Sequence, residues 1–228
     1  MFQPNIKNIT YNKDFDVLII KDVFDKKTNK AILNEMIKNS PNYEEGRTGT
    51  DESANKIKRS NLSCFYDIVY ANKRKKSVLL KELDLLFSDG DFTSIMLSTN
   101  KYPFVLFPTT NLHETQVSRY GNSNNFFGYH IDSFGYRTRL ITIVYYAHNE
   151  PKKYKGGEIV FSNDLLTNKQ ELVTNKNNTD LNNQLVIEPE NNMLVVFSSF
   201  KPHCVLKTTS PKTFKDGRFS ATIWIGIQ

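Results

Sequence analysis

The sequence predicts a mainly β protein, a sandwich or jelly roll with α-helical support near its N-terminus. From about residue 102 onward, short runs rich in Val, Ile, Phe and Tyr alternate with Gly, Pro and Asn, as is typical of short strands joined by turns. Before about residue 95, apolar residues recur at helical spacing instead. The 228 residues match the length of one domain. We therefore predict an N-terminal α/β support region over residues 1–95 and a β core over residues 96–228, packed as one structural unit.

The N-terminal region contains one predicted strand and two predicted helices. Residues 15–20 form a short apolar run that indicates a strand. Residues 25–39 and 75–87 carry apolar side chains close to helical spacing, and Asp25 stands where the first helix needs an N-cap. Residues 42–55 are polar and include two glycines, so we expect a loop there.

The β core contains eight predicted strands. They comprise residues 102–107, 114–120, 140–146, 157–161, 184–187, 193–197, 203–207 and 219–226. The Asn-rich residues 168–183 predict a surface loop between two strands rather than a domain boundary.

Composition excludes several classes of protein. Two cysteines, Cys64 and Cys204, cannot form a disulfide framework, and no apolar run approaches the roughly 18–20 residues of a membrane span. The N-terminus lacks the basic and apolar regions of a secretory signal, so we expect a cytoplasmic protein without a membrane partner. The net charge is +6, but the basic clusters at residues 56–59 and 73–76 have no interleaved aromatics for stacking bases. We therefore expect no nucleic-acid partner.

Three residues predict a metal site. Residues i and i+2 of an extended segment point to the same face, which would place His130 beside Asp132. His203 follows much later, after an apolar strand and a turn, and its neighbour Cys204 would point to the opposite face. Two imidazoles and one carboxylate form the facial triad that binds Fe(II) and leaves positions open for other ligands. A His-x-Asp pair alone is more often a surface turn, so the prediction depends on the whole set.

Arg218 and a pair of glycines add to this pattern. Arg218 directly precedes the last predicted strand, and a guanidinium can hold a carboxylate through two parallel hydrogen bonds. Gly156 and Gly157 indicate a turn before a strand, and they would also let the backbone come close to a site. His148 follows a strand in a turn before Pro151, where we expect it to be exposed to solvent.

From residue 113 to the C-terminus the chain resembles the prolyl-4-hydroxylase-like branch of the Fe(II)/2-oxoglutarate dioxygenases. Several segments carry the resemblance in the same order along the chain. They are FGYHID at 127–132, ITIVYY at 141–146, YKGGEIVF at 154–161, IEP at 187–189, LVVF at 194–197, PHCV at 202–205 and RFSATIW at 218–224. The chain departs from the family pattern in the stretch between His203 and Arg218, which is longer and contains an inserted loop over residues 208–216. Lys212 and Lys215 in this loop are the alternatives to Arg218, which is favoured because a strand follows it directly.

The resemblance implies a double-stranded β-helix, a cupin-like jelly roll whose mouth holds the iron. It implies that Fe(II) binds His130, Asp132 and His203, which would act in catalysis through the metal. The residues that it assigns to the co-substrate 2-oxoglutarate are Arg218, Tyr146, Tyr120 and Thr222. It further implies an enzyme, an oxidoreductase that hydroxylates an unactivated C–H bond with O2 and releases succinate and CO2, with ascorbate as reductant.

The substrate stays open between two classes. We favour a prolyl or other amino-acid residue of a peptide or protein, with a free amino acid or small metabolite as the alternative. Residues that could line the substrate site are Arg137, Arg139, Trp224 and His113. The alternatives are a structural role for His113 and a solvated strand edge for the two arginines. An alternative of a different class is a metal-binding jelly-roll module without catalysis. No feature of the sequence requires a particular oligomeric state.

Overall fold

The computed structural model describes residues 8–46, 59–122, 125–133, 138–163, 183–209 and 211–227. Most of the predicted loops at residues 42–55 and 168–183 lie outside these ranges, as does Arg137. Within the described residues, no helix is both long enough and apolar enough to span a membrane.

The described chain contains thirteen strands and four α-helices. The α-helices are Lys26–Lys38 (α1), Tyr66–Val69 (α2), Val78–Phe87 (α3) and Gly90–Ser98 (α4). Short 3-10 helices occupy Ser40–Asn42, Arg74–Lys76, Phe104–Thr109 and Phe214–Asp216. The first strands are Ile9–Asn12 (β1), Val17–Lys21 (β2), Glu44–Glu45 (β3), Arg59–Ser60 (β4), Leu62–Phe65 (β5), Leu112–Tyr120 (β6) and Phe126–His130 (β7). The later strands are Thr138–Ala147 (β8), Ile159–Ser162 (β9), Gln184–Ile187 (β10), Met193–Ser198 (β11), His203–Val205 (β12) and Arg218–Ile227 (β13).

The strands form two antiparallel sheets. The larger has the order β1-β2-β11-β8-β13-β6-β5-β3 and the smaller β10-β9-β12-β7-β4. A cluster of apolar side chains fills the space between them, with Val144 contributed by the larger sheet and Phe161 by the smaller. The predicted mainly β jelly-roll architecture is confirmed. The N-terminal strand β2 pairs with β11, so the N-terminal residues extend the larger sheet as well as supporting it.

Alternation along β8 and β13 decides which side chains reach the interior. Tyr145, Ile223 and their odd-numbered neighbours belong to the core that packs against α1 and α3 on the outer face of the larger sheet. Even-numbered residues therefore point between the two sheets, because successive side chains of a strand face opposite sides. Tyr145 Oη donates a 2.6 Å hydrogen bond to Asn29 Oδ1 on α1, which leaves Tyr146 to face the interior.

The two predicted helices form where their sequence patterns place them. The Asp25 side chain accepts hydrogen bonds from Lys27 N and Thr28 N, both at 2.9 Å, and so caps α1 as predicted. An N-cap of this kind contributes about 1 kcal/mol. The Ser77 side chain accepts from Leu80 N at 3.1 Å and starts α3 in the same way.

One predicted strand is wrong. Residues 102–107 lie mostly in the 3-10 helix Phe104–Thr109. Phe104 and Phe107 are both buried, and the Phe107 ring packs edge-on against Phe92 of α4 at a centroid distance of 5.3 Å. A short aromatic run bounded by prolines does not distinguish a strand from a tight helix, and here burial against the helical layer decides. Helices α2 and α4 and strands β1, β3, β4, β5 and β7 were not among the predicted elements either, and β3 lies within the predicted loop at residues 42–55.

Candidate active site

Three predicted metal ligands meet where β7 and β12 pair. His130 is the last residue of β7, and its cross-strand partner is His203, the first residue of β12. Asp132 lies just beyond β7 and is buried. Asp132 Oδ1 is 3.5 Å from His130 Nε2, and Oδ2 is 3.6 Å from His203 Nε2. The ligand atoms of all three residues lie within 4.8 Å of one another, which is the span that a single ion requires.

Backbone contacts orient both imidazoles toward this point. His130 Nδ1 lies 2.8 Å from Gly128 O, and His203 Nδ1 lies 2.9 Å from Lys201 O. A carbonyl oxygen only accepts, so each Nδ1 carries the proton and each Nε2 offers a lone pair. Two imidazole nitrogens and one carboxylate oxygen, without a thiolate, are the donor set that suits Fe(II) with open positions. The residues present therefore fit the implied metal.

Buried hydrogen bonds hold the carboxylate in place. Thr142 Oγ1 donates to Asp132 Oδ2 at 2.8 Å, and Ser199 Oγ lies 2.9 Å from the same threonine oxygen. The Asp132 backbone N–H donates to Ser199 O at 2.9 Å. Thr142 and Ser199 are both fully buried, so this arrangement is rigid. Neither residue was singled out from the sequence, although Thr142 shares the alternating face of Tyr146.

Electrostatics favour the protonation states that bind a metal. Burial acts to raise the pKa of Asp132, but His203, His130 and Thr142 outweigh it and hold this pKa well below its usual range. Burial, with a further contribution from His130, lowers the pKa of His203 to about 4. Near neutral pH the cluster thus contains an ionised carboxylate and a neutral His203, as metal ligation requires.

Arg218 lies buried between two of the predicted co-substrate residues. Its guanidinium carbon is 4.7 Å from the ring centroid of Tyr120 and 4.8 Å from that of Tyr146. Arg218 Nη1 donates a long 3.4 Å hydrogen bond to Ser220 Oγ, while Nε is buried without a hydrogen-bond partner among the described residues. Burial raises the pKa of Tyr146 to about 12. Thr222 is half-buried on the same face of β13.

Gly157 lets the backbone approach Arg218. Its φ is +77°, and a Cβ at this position would lie 2.7 Å from Arg218 Cδ and 2.7 Å from Thr208 Cγ2. Only glycine adopts this conformation and tolerates this proximity without strain. Arg218 and Thr208, the first residue of the inserted stretch after β12, therefore both lie against the backbone of Gly157.

Two predicted substrate residues lie beside the metal cluster. The guanidinium of Arg139 stacks 3.8 Å above the Trp224 ring and forms a 3.1 Å ion pair with Glu114. Arg139 Nη1 also donates to Asp132 O at 3.4 Å. Trp224 Nε1 is buried and has no hydrogen-bond partner in the described part of the chain. This group of residues forms a wall next to Asp132.

The other two histidines lie apart from the metal cluster, and of the two roles considered for His113 the structure favours the structural one. His113 pairs with Ile225 on the outer face of β13, and its ring packs 5.2 Å from Phe87, so it faces the helical layer and does not line the interior site. Burial lowers its pKa. His148 is only 4% exposed rather than solvated, and the ring of Tyr154 packs edge-on against it at 5.5 Å. Its Nδ1 contacts Asn149 O at 3.1 Å.

Arg59 is an interior residue that sequence reasoning missed, because it appeared to be part of a solvated basic cluster. It is buried, and its Nη2 donates to Gln116 Oε1 at 2.9 Å. Its guanidinium carbon lies 4.6 Å above the Phe127 ring, which stacks on His130 at 3.6 Å. No local signal marks such a residue. Cys204 is buried, burial raises its pKa to about 12, and it lies outside the metal cluster, as predicted.

Comparisons with known proteins agree with this geometry. The model of the 2OG-Fe(II) oxygenase superfamily matches residues 115–226, which contain the cluster and Arg218. An uncharacterized PKHD-type hydroxylase from Synechocystis is 26% identical over 212 residues, and the match covers 90% of this chain but only 61% of that relative.

Two solved structures share the fold. A prolyl hydroxylase from Trichoplax adhaerens, in complex with a hypoxia inducible factor oxygen degradation domain peptide fragment, has a TM-score of 0.61 and 16% identity, and the match covers 92% of this chain and 83% of that one. A Pseudomonas putida prolyl-4-hydroxylase has a TM-score of 0.56 and 18% identity, covering 93% and 92% of the two chains.

Proposed function

Because the model of the 2OG-Fe(II) oxygenase superfamily matches residues 115–226 and the fold is similar to that of a prolyl-4-hydroxylase, we propose that the chain is a 2-oxoglutarate-dependent hydroxylase of this superfamily. The observation that carries this proposal is the cluster of His130, Asp132 and His203 inside the same barrel as the buried Arg218. A non-catalytic metal module has no need for a buried guanidinium with an unsatisfied Nε.

Each group of residues has a distinct task. His130 Nε2, His203 Nε2 and one oxygen of Asp132 would hold Fe(II), and Arg218 would bind the distal carboxylate of 2-oxoglutarate. When bound, iron and 2-oxoglutarate activate O2, and the overall reaction converts a C–H bond to C–OH with release of succinate and CO2. The chain's own contribution is to fix ligand geometry, orient the co-substrate and exclude water from a buried site.

For the substrate we propose a prolyl or other amino-acid residue within a peptide or protein. Phe65 supports this class because its ring is 36% exposed and lies 6.3 Å from the ring of Trp224, which packs under Arg139 beside Asp132. An aromatic face suits an aliphatic ring, and the unsatisfied Trp224 Nε1 offers a donor for a peptide carbonyl. The similar structure from Trichoplax adhaerens is a peptide complex.

The test supplies Fe(II), 2-oxoglutarate and ascorbate with a set of peptides that differ only by proline or alanine at one position. We expect succinate release and a mass increase of one oxygen on proline-containing peptides only. Turnover stimulated by free amino acids, and by no peptide, would replace the peptide proposal with a small-molecule hydroxylase.

Matched variants separate catalysis from folding. His203→Ala should abolish succinate release, whereas His113→Ala, which removes a histidine on the outer face, should retain it. Full activity in His130→Ala or Asp132→Ala would overturn the hydroxylase proposal itself.

A further inference from the structure

Several buried polar atoms lie around Arg218. Arg218 Nε, Tyr146 Oη, Tyr154 Oη and His148 Nε2 are each buried, and none has a hydrogen-bond partner among the described residues. An unsatisfied buried donor or acceptor is costly, and natural proteins keep few of them. Their concentration at one place indicates that a polar ligand satisfies them.

No role at the site was predicted for Tyr154 from the sequence. It lies in the segment between β8 and β9 and is 4% exposed. Its ring packs edge-on against His148 at 5.5 Å, and Lys152 Nζ lies 4.9 Å from its centroid. Ala147 pairs with Phe219, and the two strands are antiparallel. His148, which follows Ala147, therefore lies opposite Arg218, which precedes Phe219. Tyr154 thus reaches the Arg218 end of the barrel.

The inserted stretch after β12 holds the backbone next to Tyr154 in place through two hydrogen bonds to Lys155. Lys155 N donates to Thr209 Oγ1 at 2.9 Å, and Thr209 N donates to Lys155 O at 2.9 Å. Gly157, whose missing Cβ makes room for Arg218, lies two residues after Lys155. The position of Tyr154 is therefore set by the same backbone that contacts Arg218.

We infer that Tyr154 is a binding residue for the distal carboxylate of 2-oxoglutarate, together with Arg218 and Tyr146. A carboxylate offers about four lone-pair sites. The Arg218 fork supplies donors for two of them, and the hydroxyls of Tyr146 and Tyr154 supply the others. His148 packs against the Tyr154 ring and acts as a positioning residue. This inference rests on the proposed function.

Tyr154→Phe tests the inference because it removes only the hydroxyl. Binding to the Mn(II)-loaded protein is measured by calorimetry for 2-oxoglutarate and for 2-oxopentanoate, which has the same chain length but no distal carboxylate. We expect Tyr154→Phe to weaken 2-oxoglutarate about tenfold, as loss of a hydrogen bond to a charged group does. The affinity for 2-oxopentanoate should not change. Tyr145→Phe, which removes a hydroxyl on the outer face, is the matched control and should alter neither affinity.

A stability measurement distinguishes binding from a structural role. Since Tyr154 Oη has no partner among the described residues, its removal should leave the Tm of the ligand-free protein equal or higher. Unchanged affinity for 2-oxoglutarate, or equal weakening of both acids, would overturn the inference alone. A wild-type protein that does not discriminate between the two acids would overturn the proposed function with it.

Discussion

Replacing Thr142 with valine should weaken metal binding without altering any metal ligand. Valine has nearly the same shape as threonine but cannot donate the 2.8 Å hydrogen bond to Asp132 Oδ2. Thr142 is fully buried, so water cannot take over this bond. The carboxylate then loses the contact that fixes its orientation between the two imidazoles.

The magnitude follows from the charge of the acceptor. A hydrogen bond to a charged group contributes about 1.5–3 kcal/mol, and about 1.4 kcal/mol is a factor of ten in a dissociation constant. The same hydrogen bond also stabilises the metal-free fold. The free energy lost with it therefore appears partly as a lower free energy of unfolding and partly as a weaker metal affinity. We expect the Kd for Mn(II) to rise roughly tenfold, the lower end of the range for partners of metal ligands, and the Tm of the metal-free protein to fall.

Calorimetric titration of chelator-treated protein with Mn(II) measures this effect without relying on turnover. Thr142→Ser keeps the hydroxyl and should restore most of the affinity. The matched control is Thr115→Val, because Thr115 is also fully buried but its hydroxyl has no partner among the described residues. A folded Thr142→Val protein whose Kd stays within about twofold of wild type would refute the reasoning.

Three further predictions concern the Arg218 end of the barrel. Arg218→Ala should raise the Kd for 2-oxoglutarate at least about 30-fold, since it removes a buried charged partner, while iron content by elemental analysis stays unchanged; iron loss would contradict the assignment. Gly157→Ala should lower both the Tm and the affinity for 2-oxoglutarate, because its Cβ would meet Arg218 Cδ at 2.7 Å and its φ of +77° becomes strained. Burial lowers the pKa of His148 below 6.5, so as pH falls from about 6.5 the unfolded chain takes up a proton first and stability is lost. His148→Asn should reduce this slope of unfolding free energy by up to about 1.4 kcal/mol per pH unit in denaturant titrations, and an unchanged slope would show that His148 is not its source.

Local patterns predicted most of the β core and the metal ligands. His130 and Asp132 are two residues apart, and the strand after residue 202 brings His203 opposite His130. The cluster could therefore be predicted from strand periodicity and residue type. The alternation of Tyr145 and Tyr146 correctly implied that only one faces the interior. Helix α1 followed from apolar spacing and the Asp25 cap.

The errors share one physical cause. Each of these features depends on segments that are distant in sequence: the conformation of residues 102–107, the exposure of His148 and the face that His113 occupies. Those segments supply the packing surface, and burial against them outweighs local preference. Arg59 shows this most clearly, because a basic cluster in the sequence contributes a guanidinium to the interior of the barrel.

By itself, the sequence determined the fold class, the three side chains that form the candidate metal site and the arginine that begins the last strand, because these depend on strand periodicity and the chemistry of residue types. Only the tertiary structure decided how those groups are supported: the Thr142 hydroxyl on Asp132, the tyrosine rings around Arg218 and the approach of Tyr154 to the same pocket. The reason is that a strand's alternation specifies a face, whereas a hydrogen-bond partner is chosen by the antiparallel register and by the loops that fold back over the sheet.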